Sequence, residues 1–146
     1  MKRVSFVIIF LLLIDQISKI MARMFFTVDS ETLAPFEFQF TENTGIAFSI
    51  PFPPFLLIII TLVILGFLSW AMIKESLLEW EEVGVVFIFS GALGNLIDRI
   101  FYGSVTDFIK IFGFPIFNFA DIWITAGIVI FLWYELIVKK FKSQKA

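Results

Sequence analysis

The chain is 146 residues long, 60% hydrophobic and 16% charged, with 21 phenylalanines and a formal net charge of −2. A mean hydropathy of +0.98 leaves too little polar surface for a water-soluble protein of this size, so residues 1–146 read as one integral membrane domain with no nucleic-acid partner. With no cysteine and no histidine, disulfides, thiolate nucleophiles, Ser-His-Asp triads and the usual zinc sites are excluded, and chemistry falls to Asp, Glu, Lys, Arg, Ser, Thr or Tyr.

Met1–Arg3 is a short basic start and Val4–Ile14 an unbroken apolar run. The pair mimics the first two regions of a secretory signal peptide. No Ala-x-Ala site follows, however, and Asp15, Lys19 and Arg23 continue the same helix, so an uncleaved first span is expected over about 4–24. At about 1.5 Å per residue, some 20 residues cross the hydrocarbon, which puts Asp15 past the midpoint and Lys19 near the far boundary. These two stand at i and i+4, the spacing of an intrahelical ion pair. Charges that deep are costly to desolvate, so the pair should face protein and look into a polar cavity.

Residues 25–53 form a first loop, acidic through Asp29, Glu31, Glu37 and Glu42. Glu37-Phe38-Gln39-Phe40-Thr41 alternates polar and apolar as a half-buried strand does. Asn43 to Phe48 carries the asparagine and glycine of a tight turn, and Pro51, Pro53 and Pro54 delay the next helix. Phe55–Ile73 has no charge and reads as a lipid-facing scaffold span, followed by a short acidic connection over Lys74–Glu82. The third span is expected over 83–100, where Gly91, Ala92 and Gly94 permit close helix contact. A second loop, 101–119, is broken by Gly103, Gly113 and Pro115. The fourth span, 121–138, has Trp123, Trp133 and Tyr134 placed as interfacial aromatics, and Lys139, Lys140, Lys142 and Lys145 form a basic tail.

Lysine and arginine counting fixes an orientation. Lys2, Arg3 and the tail lysines put both termini in the cytoplasm and the 25–53 and 101–119 loops outside. The acidic 74–82 connection would lie inside, where acidic residues count little. This topology gathers Asp15, Lys19, Asn43, Asn95, Asp98, Arg99, Asp107, Asn118 and Asp121 at the outer membrane surface. Convergence from three spans and two loops suggests a site.

Asp98 beside Arg99 has an ion-pair or capping duty that suits it as well as catalysis does. Asp107 and Asp121 have no adjacent cation except Lys110. If the fold brings them within a few ångströms they cannot both ionise, so that one holds a proton and the other serves as base, the arrangement that activates water in aspartic proteases. A Ser-Lys dyad with Lys19 as base would need Ser49 or Ser104, since Ser18 points about 100° away on the helix. A small transporter or proton channel would use Asp15, Lys19 and Asp98 as a relay, but predicts ionisable groups spread through the membrane depth. A scaffold of a larger complex predicts no cluster.

The blocks Asp15-Gln16-x-Ser18-Lys19, Asn43-x-Gly45-x-Ala47-Phe48, Gly91-Ala92-x-Gly94-Asn95-x-x-Asp98-Arg99, Val105-x-Asp107-Phe108 and Phe117-Asn118-x-Ala120-Asp121 resemble, in order and spacing, the signature of bacterial lipoprotein signal peptidase, or signal peptidase II. The resemblance implies an inner-membrane aspartyl endopeptidase, its site facing outward, that cuts prolipoproteins before a diacylglyceryl-modified cysteine. It places the catalytic aspartates on Asp107 and Asp121. The supporting set falls on Asp15, Lys19, Asn43, Gly45, Asn95, Asp98, Arg99, Asn118 and Ala120. The implied fold is all-α in the membrane, four transmembrane helices with a small extracytoplasmic β-cradle and a short surface helix. The implied partners are diacylglyceryl-prolipoprotein and membrane lipid, the implied state a monomer, with no cofactor or metal. Ile46, Thr106 and Ile122 depart from the pattern, where Ala, Val and Ser are usual, leaving room for a shift in substrate or inhibitor fit.

Overall fold

The computed structural model describes residues 2–26, 36–45, 52–74, 79–138 and 140. In chain order these form helix α1 (Lys2–Phe25), strand β1 (Phe36–Asn43), helix α2 (Pro54–Lys74), helix α3 (Glu79–Tyr102), strand β2 (Val105–Ile111) and helix α4 (Phe119–Trp133), which runs on into a π-helical turn, Tyr134–Val138. Among the described residues four helices are long and apolar enough to cross a membrane, over Arg3–Phe25, Pro54–Lys74, Glu81–Tyr102 and Phe119–Val138.

Two span starts lie further upstream than the hydropathy pattern places them. Helix α3 begins at Glu79, so Glu81 and Glu82 belong to the helix and not to a connection. Carboxylates are favourable at a helix N-terminus, which is why an acidic stretch there does not end the helix. Helix α4 begins at Phe119 because Asn118 caps it: the Asn118 side chain accepts from the Asp121 backbone N–H while the Asp121 side chain accepts from the Asn118 N–H. Reciprocal satisfaction of two otherwise orphaned donors fixes the entry of the last span.

Helix α3 is central and packs against each of the other three. Its seam with α4 is built from glycines. A Cβ at Gly127 would lie 2.6 Å from the Gly84 carbonyl oxygen, and one at Gly84 would lie 2.9 Å from the Gly127 carbonyl oxygen. A Cβ at Gly91 would run into the Ala120 carbonyl. Where apolar burial gives no advantage over lipid, such close backbone approach is what holds helices together. Helix α2 is joined to α3 through Leu65, Ala92 and Leu96, and most of its other large side chains face outward, as a lipid-facing scaffold requires.

The two strands pair antiparallel, from Phe36 opposite Ile111 to Asn43 opposite Val105. Between Phe38 and Thr41 the register shifts, so that Gln39 and Phe40 oppose Phe108. After β2 the chain turns at Ile111–Phe114, closed by a 2.9 Å bond from Phe114 N–H to the Ile111 carbonyl, with Gly113 at φ 81. That left-handed conformation favours glycine at the third turn position. The return lays Phe117 against Ile109. Ala22, Phe108 and Ile109, with Phe26, Phe117, Phe119 and Ile122, form the apolar cluster that seats the sheet on the ends of α1 and α4.

The alternating 37–41 stretch is a strand as expected. The second loop, for which the sequence showed only its breakers, contains β2, whose residues from Val105 to Ile109 are all buried. A strand covered on both faces shows no alternation, so its pattern is silent. Tyr134, expected at an interface, is 1% exposed, because the π-helical turn that carries it packs against α3. Trp123 packs edge-to-face on Phe87 and stacks on Phe119. The Ile46–Phe48 part of the expected turn falls outside the described residues, as do 27–35 and 75–78. The short surface helix has no counterpart among the described residues.

Because the α3–α4 seam leaves no room for a side chain, Gly91→Val should destabilise the protein by about 1–3 kcal/mol or more. Gly66→Ala, at a position with nothing within 4 Å of an added Cβ, should be neutral or slightly stabilising. Thermal unfolding in detergent compares the two, and equal midpoints for both variants would refute the seam.

Candidate active site

The site is built outward from Lys19. Its ammonium is completely buried, 2.9 Å from Asp15 Oδ2 and 3.5 Å from Asp98 Oδ2, and it donates to Asn95 Oδ1 at 2.9 Å. Each anion is in turn bound to backbone on another element. Asp15 Oδ1 accepts the Ala120 N–H at 2.8 Å, which ties α1 to the first turn of α4. Asp98 Oδ2 accepts the Thr106 N–H at 2.9 Å, which ties α3 to β2 one residue before Asp107. Gly94 gives Asp15 its place, since a Cβ there would collide with Asp15 Oδ2. Gln16 donates both to Asp15 Oδ2, at 3.0 Å, and to the Gly94 carbonyl, at 3.2 Å.

An ammonium can only donate, so Lys19 fixes which way the Asn95 amide points. Asn95 Oδ1 faces Lys19 and also accepts from Asn118 Nδ2 at 3.3 Å. Its Nδ2 must therefore point away, and donates to Asp121 Oδ1 at 2.9 Å. Asn118 is completely buried and serves two elements. Its Oδ1 caps α4 by accepting the Asp121 N–H at 3.0 Å, and its Nδ2 donates to Asp107 Oδ1 at 2.7 Å. Asn43, at the end of β1, donates to Asp107 Oδ2 at 2.9 Å and folds its Oδ1 back onto the Gly45 N–H at 3.0 Å. Arg99 reaches the Gly45 carbonyl at 3.3 Å.

Asp107 and Asp121 thus come from a strand and a helix N-terminus to line one cavity of about 750 Å³, with Asn43, Asn95 and Arg99 on its walls. Beyond Asp121 the cavity continues along α4 over Ile122, Ile124, Thr125 and Ala126. Burial pushes the Asp107 carboxyl up to about 7, and the neighbouring Asp121 pushes the same way, against the Asn43 and Asn118 donors and Lys19. An acid raised in this way by burial and a neighbouring carboxylate is suited to hold a proton at neutral pH. Among the described residues no three acidic side chains converge as metal ligands would.

Every described member of the expected polar set converges, but in two tiers. Asn43, Asn95, Arg99, Asp107 and Asp121 line the cavity. Asp15, Lys19, Gly45, Asp98, Asn118 and Ala120 stand behind it, so the Asp15–Lys19 pair faces protein as expected but does not look into the open cavity. Among the described residues Lys19, held by two carboxylates and an amide, contacts no serine hydroxyl, against a Ser-Lys arrangement. Ser49 lies outside the described residues.

Two contributors escaped the sequence reading. Arg23 Nε donates to Thr106 Oγ1 at 2.7 Å, its Nη2 lies 3.2 Å from Asp98 Oδ2, and its guanidinium sits 3.5 Å from the Tyr102 ring centroid. Arg23 falls four residues after Lys19 and eight after Asp15, on the same helical face, a readable signal. Thr106, where the resemblance leads one to expect valine, gives no such sign; its hydroxyl acquires meaning only against Arg23.

Removing one member of a buried ion cluster leaves the others unpaired, at a cost of about 3–5 kcal/mol. Lys19→Met should therefore destabilise the protein by that order, whereas Thr106→Val, which removes one acceptor, should cost about 1 kcal/mol. Denaturation in detergent would read the difference, and a Lys19→Met variant as stable as the parent would contradict the platform role.

Residues 7–137 match the sequence profile of signal peptidase (SPase) II. A lipoprotein signal peptidase of Thermodesulfovibrio yellowstonii is 42% identical over 144 residues, covering 92% of this chain and 95% of that protein. One from Staphylococcus carnosus is 38% identical over 150 residues, covering 97% and 92%. Among solved structures, a bacterial membrane enzyme determined by the in meso method superposes with a TM-score of 0.85 at 31% identity, over 100% of this chain and 93% of its own.

Proposed function

The chain belongs to the signal peptidase II family, and we propose that it is an aspartic endopeptidase of the bacterial cytoplasmic membrane that removes signal peptides from prolipoproteins. The observation that carries the aspartic mechanism is the Asp107–Asp121 pair on one cavity wall, each carboxyl held by amide donors from a different element. Its substrate is the diacylglyceryl-prolipoprotein, cut on the N-terminal side of the lipid-bearing cysteine. The enzyme acts as a single-domain monomer with both termini in the cytoplasm and the site facing outward, in keeping with the lysine-rich ends and the Lys- and Arg-poor loops.

A signal peptide is an apolar helix already in the bilayer, and the cavity's apolar extension along α4 suits its entry from the side. Asp121 takes a proton from water as the water oxygen adds to the scissile carbonyl carbon. Asp107, the carboxyl raised to about 7, gives its proton to the carbonyl oxygen. Collapse of the tetrahedral intermediate breaks the C–N bond. The leaving amine takes the proton held by Asp121, and the gem-diol proton returns to Asp107. Asn43 and Asn118 keep the Asp107 oxygens in place, and Asn95 does the same for Asp121. Arg99 on the cavity wall is placed to meet substrate backbone. A proton relay through Asp15, Lys19 and Asp98 is disfavoured because the three are fully buried in one closed cluster.

Asp107→Asn and Asp121→Asn should each retain the fold and lower the cleavage rate of a lipidated prolipoprotein by at least about 10²–10⁴-fold; near-normal cleavage by either would place the chemistry elsewhere. The pH profile follows from the raised Asp107. Its proton is present below about 7 and lost above it, so kcat/KM should fall as pH rises through that value. A rate still climbing well into the alkaline range would contradict Asp107 as the acid.

A further inference from the structure

A second cavity, of about 450 Å³, opens on the sheet side of Asp107, where Gln39, Thr41, Lys110, Phe112 and Phe114 line it. It shares Asp107 and residues 114–116 with the larger cavity, so the two meet at the candidate acid. Their walls differ in origin. The larger cavity runs down α4 among apolar side chains, whereas among the described residues the smaller is formed by β1, β2 and the turn and return strand that follow, with none from a membrane-spanning helix.

Given the endopeptidase activity proposed for this chain, we propose that the smaller cavity is the subsite for the first residues of the mature lipoprotein, those that follow the lipid-bearing cysteine. A substrate with its scissile bond at Asp107 must leave in two directions. Its N-terminal side is an apolar membrane helix and matches the α4 wall. The polypeptide beyond the cysteine is headed out of the membrane and meets the sheet.

The polar groups of the smaller cavity fit an extended chain. The bulge in β1 gives Gln39 no cross-strand partner of its own, and bulges commonly re-aim a side chain beside a functional site. Gln39 is 7% exposed and donates through Nε2 to Thr41 Oγ1 at 3.3 Å. Its Oε1 is buried and accepts no hydrogen bond among the described residues. A buried acceptor left unpaired is costly, and an extended peptide brings one N–H per residue. On the rim, Lys110 lies 3.6 Å from Glu37 Oε2, so the charges there are balanced and favour neither acidic nor basic sequences. Phe112 and Phe114, both exposed on the Gly113 turn, offer apolar area to whatever side chains follow the cysteine.

The test compares two diacylglyceryl substrates on the full-length protein, one ending as the amide of the lipidated cysteine and one continuing about six residues further, roughly 20 Å of extended chain. The longer substrate should show a kcat/KM about tenfold higher, carried by KM, and Gln39→Leu should reduce that advantage to about threefold or less, the scale of one lost hydrogen bond. Equal kcat/KM for the two substrates in the unmodified protein would overturn the subsite without reference to any variant. So would a Gln39→Leu protein slower on both substrates by the same factor, which is the mark of a structural role alone. Cleavage of neither substrate would overturn the endopeptidase activity itself, and the subsite with it.

Discussion

One ammonium group, Lys19 Nζ, is the constraint on which the site depends. It is completely buried between the carboxylates of Asp15 and Asp98, and Arg23 supplies the second positive charge against Asp98, so two anions are matched by two cations. A cluster of this kind is a poor source of stability, since well-packed apolar residues would often do better. What it provides is position. Through Asp15 it holds the start of α4, through Asp98 it holds the start of β2, and through Asn95 it sets the orientation of the amide that faces Asp121.

The aspartates inherit unlike settings from this platform. Asp121 sits at the third position of a capped helix, where the N-terminal end of the helix dipole favours a negative group. Asp107 sits in a strand buried on both faces, which favours the neutral acid. This difference of setting supports the division between proton donor and base proposed above. The glycine seam of α3 and α4 has a matching purpose: by bringing the two backbones together at Gly91 and Ala120, it lets Asn95 reach across to Asp121.

Much of this was legible in the sequence, and the parts that were not share physical causes. The i, i+4 spacing of Asp15 and Lys19 announced a buried pair, the alternation from Glu37 to Thr41 announced β1, and hydropathy announced the spans. Strand β2 gave no signal because both of its faces are covered. The start of α3 was hidden by glutamates that look like a loop and act as favourable first-turn residues. No spacing rule brings Asp107 to Asp121, because their meeting depends on the turn at Gly113 and the cap at Asn118. Thr106 shows why a departure from a motif is not always neutral: its hydroxyl is the acceptor for Arg23, a pairing that exists only once α1 and β2 are packed.

In the activity proposed here, the enzyme hydrolyses one bond, placed by a lipid anchor beside Asp107 and Asp121. Intact-mass measurement of the products tests it most directly, with the purified protein given one prolipoprotein in two forms, its cysteine carrying diacylglycerol or left bare. Cleavage confined to the lipidated form, yielding a product that begins at the lipidated cysteine and a free signal peptide, is the expected result. Cleavage of both forms alike, at another bond, or of neither would contradict it.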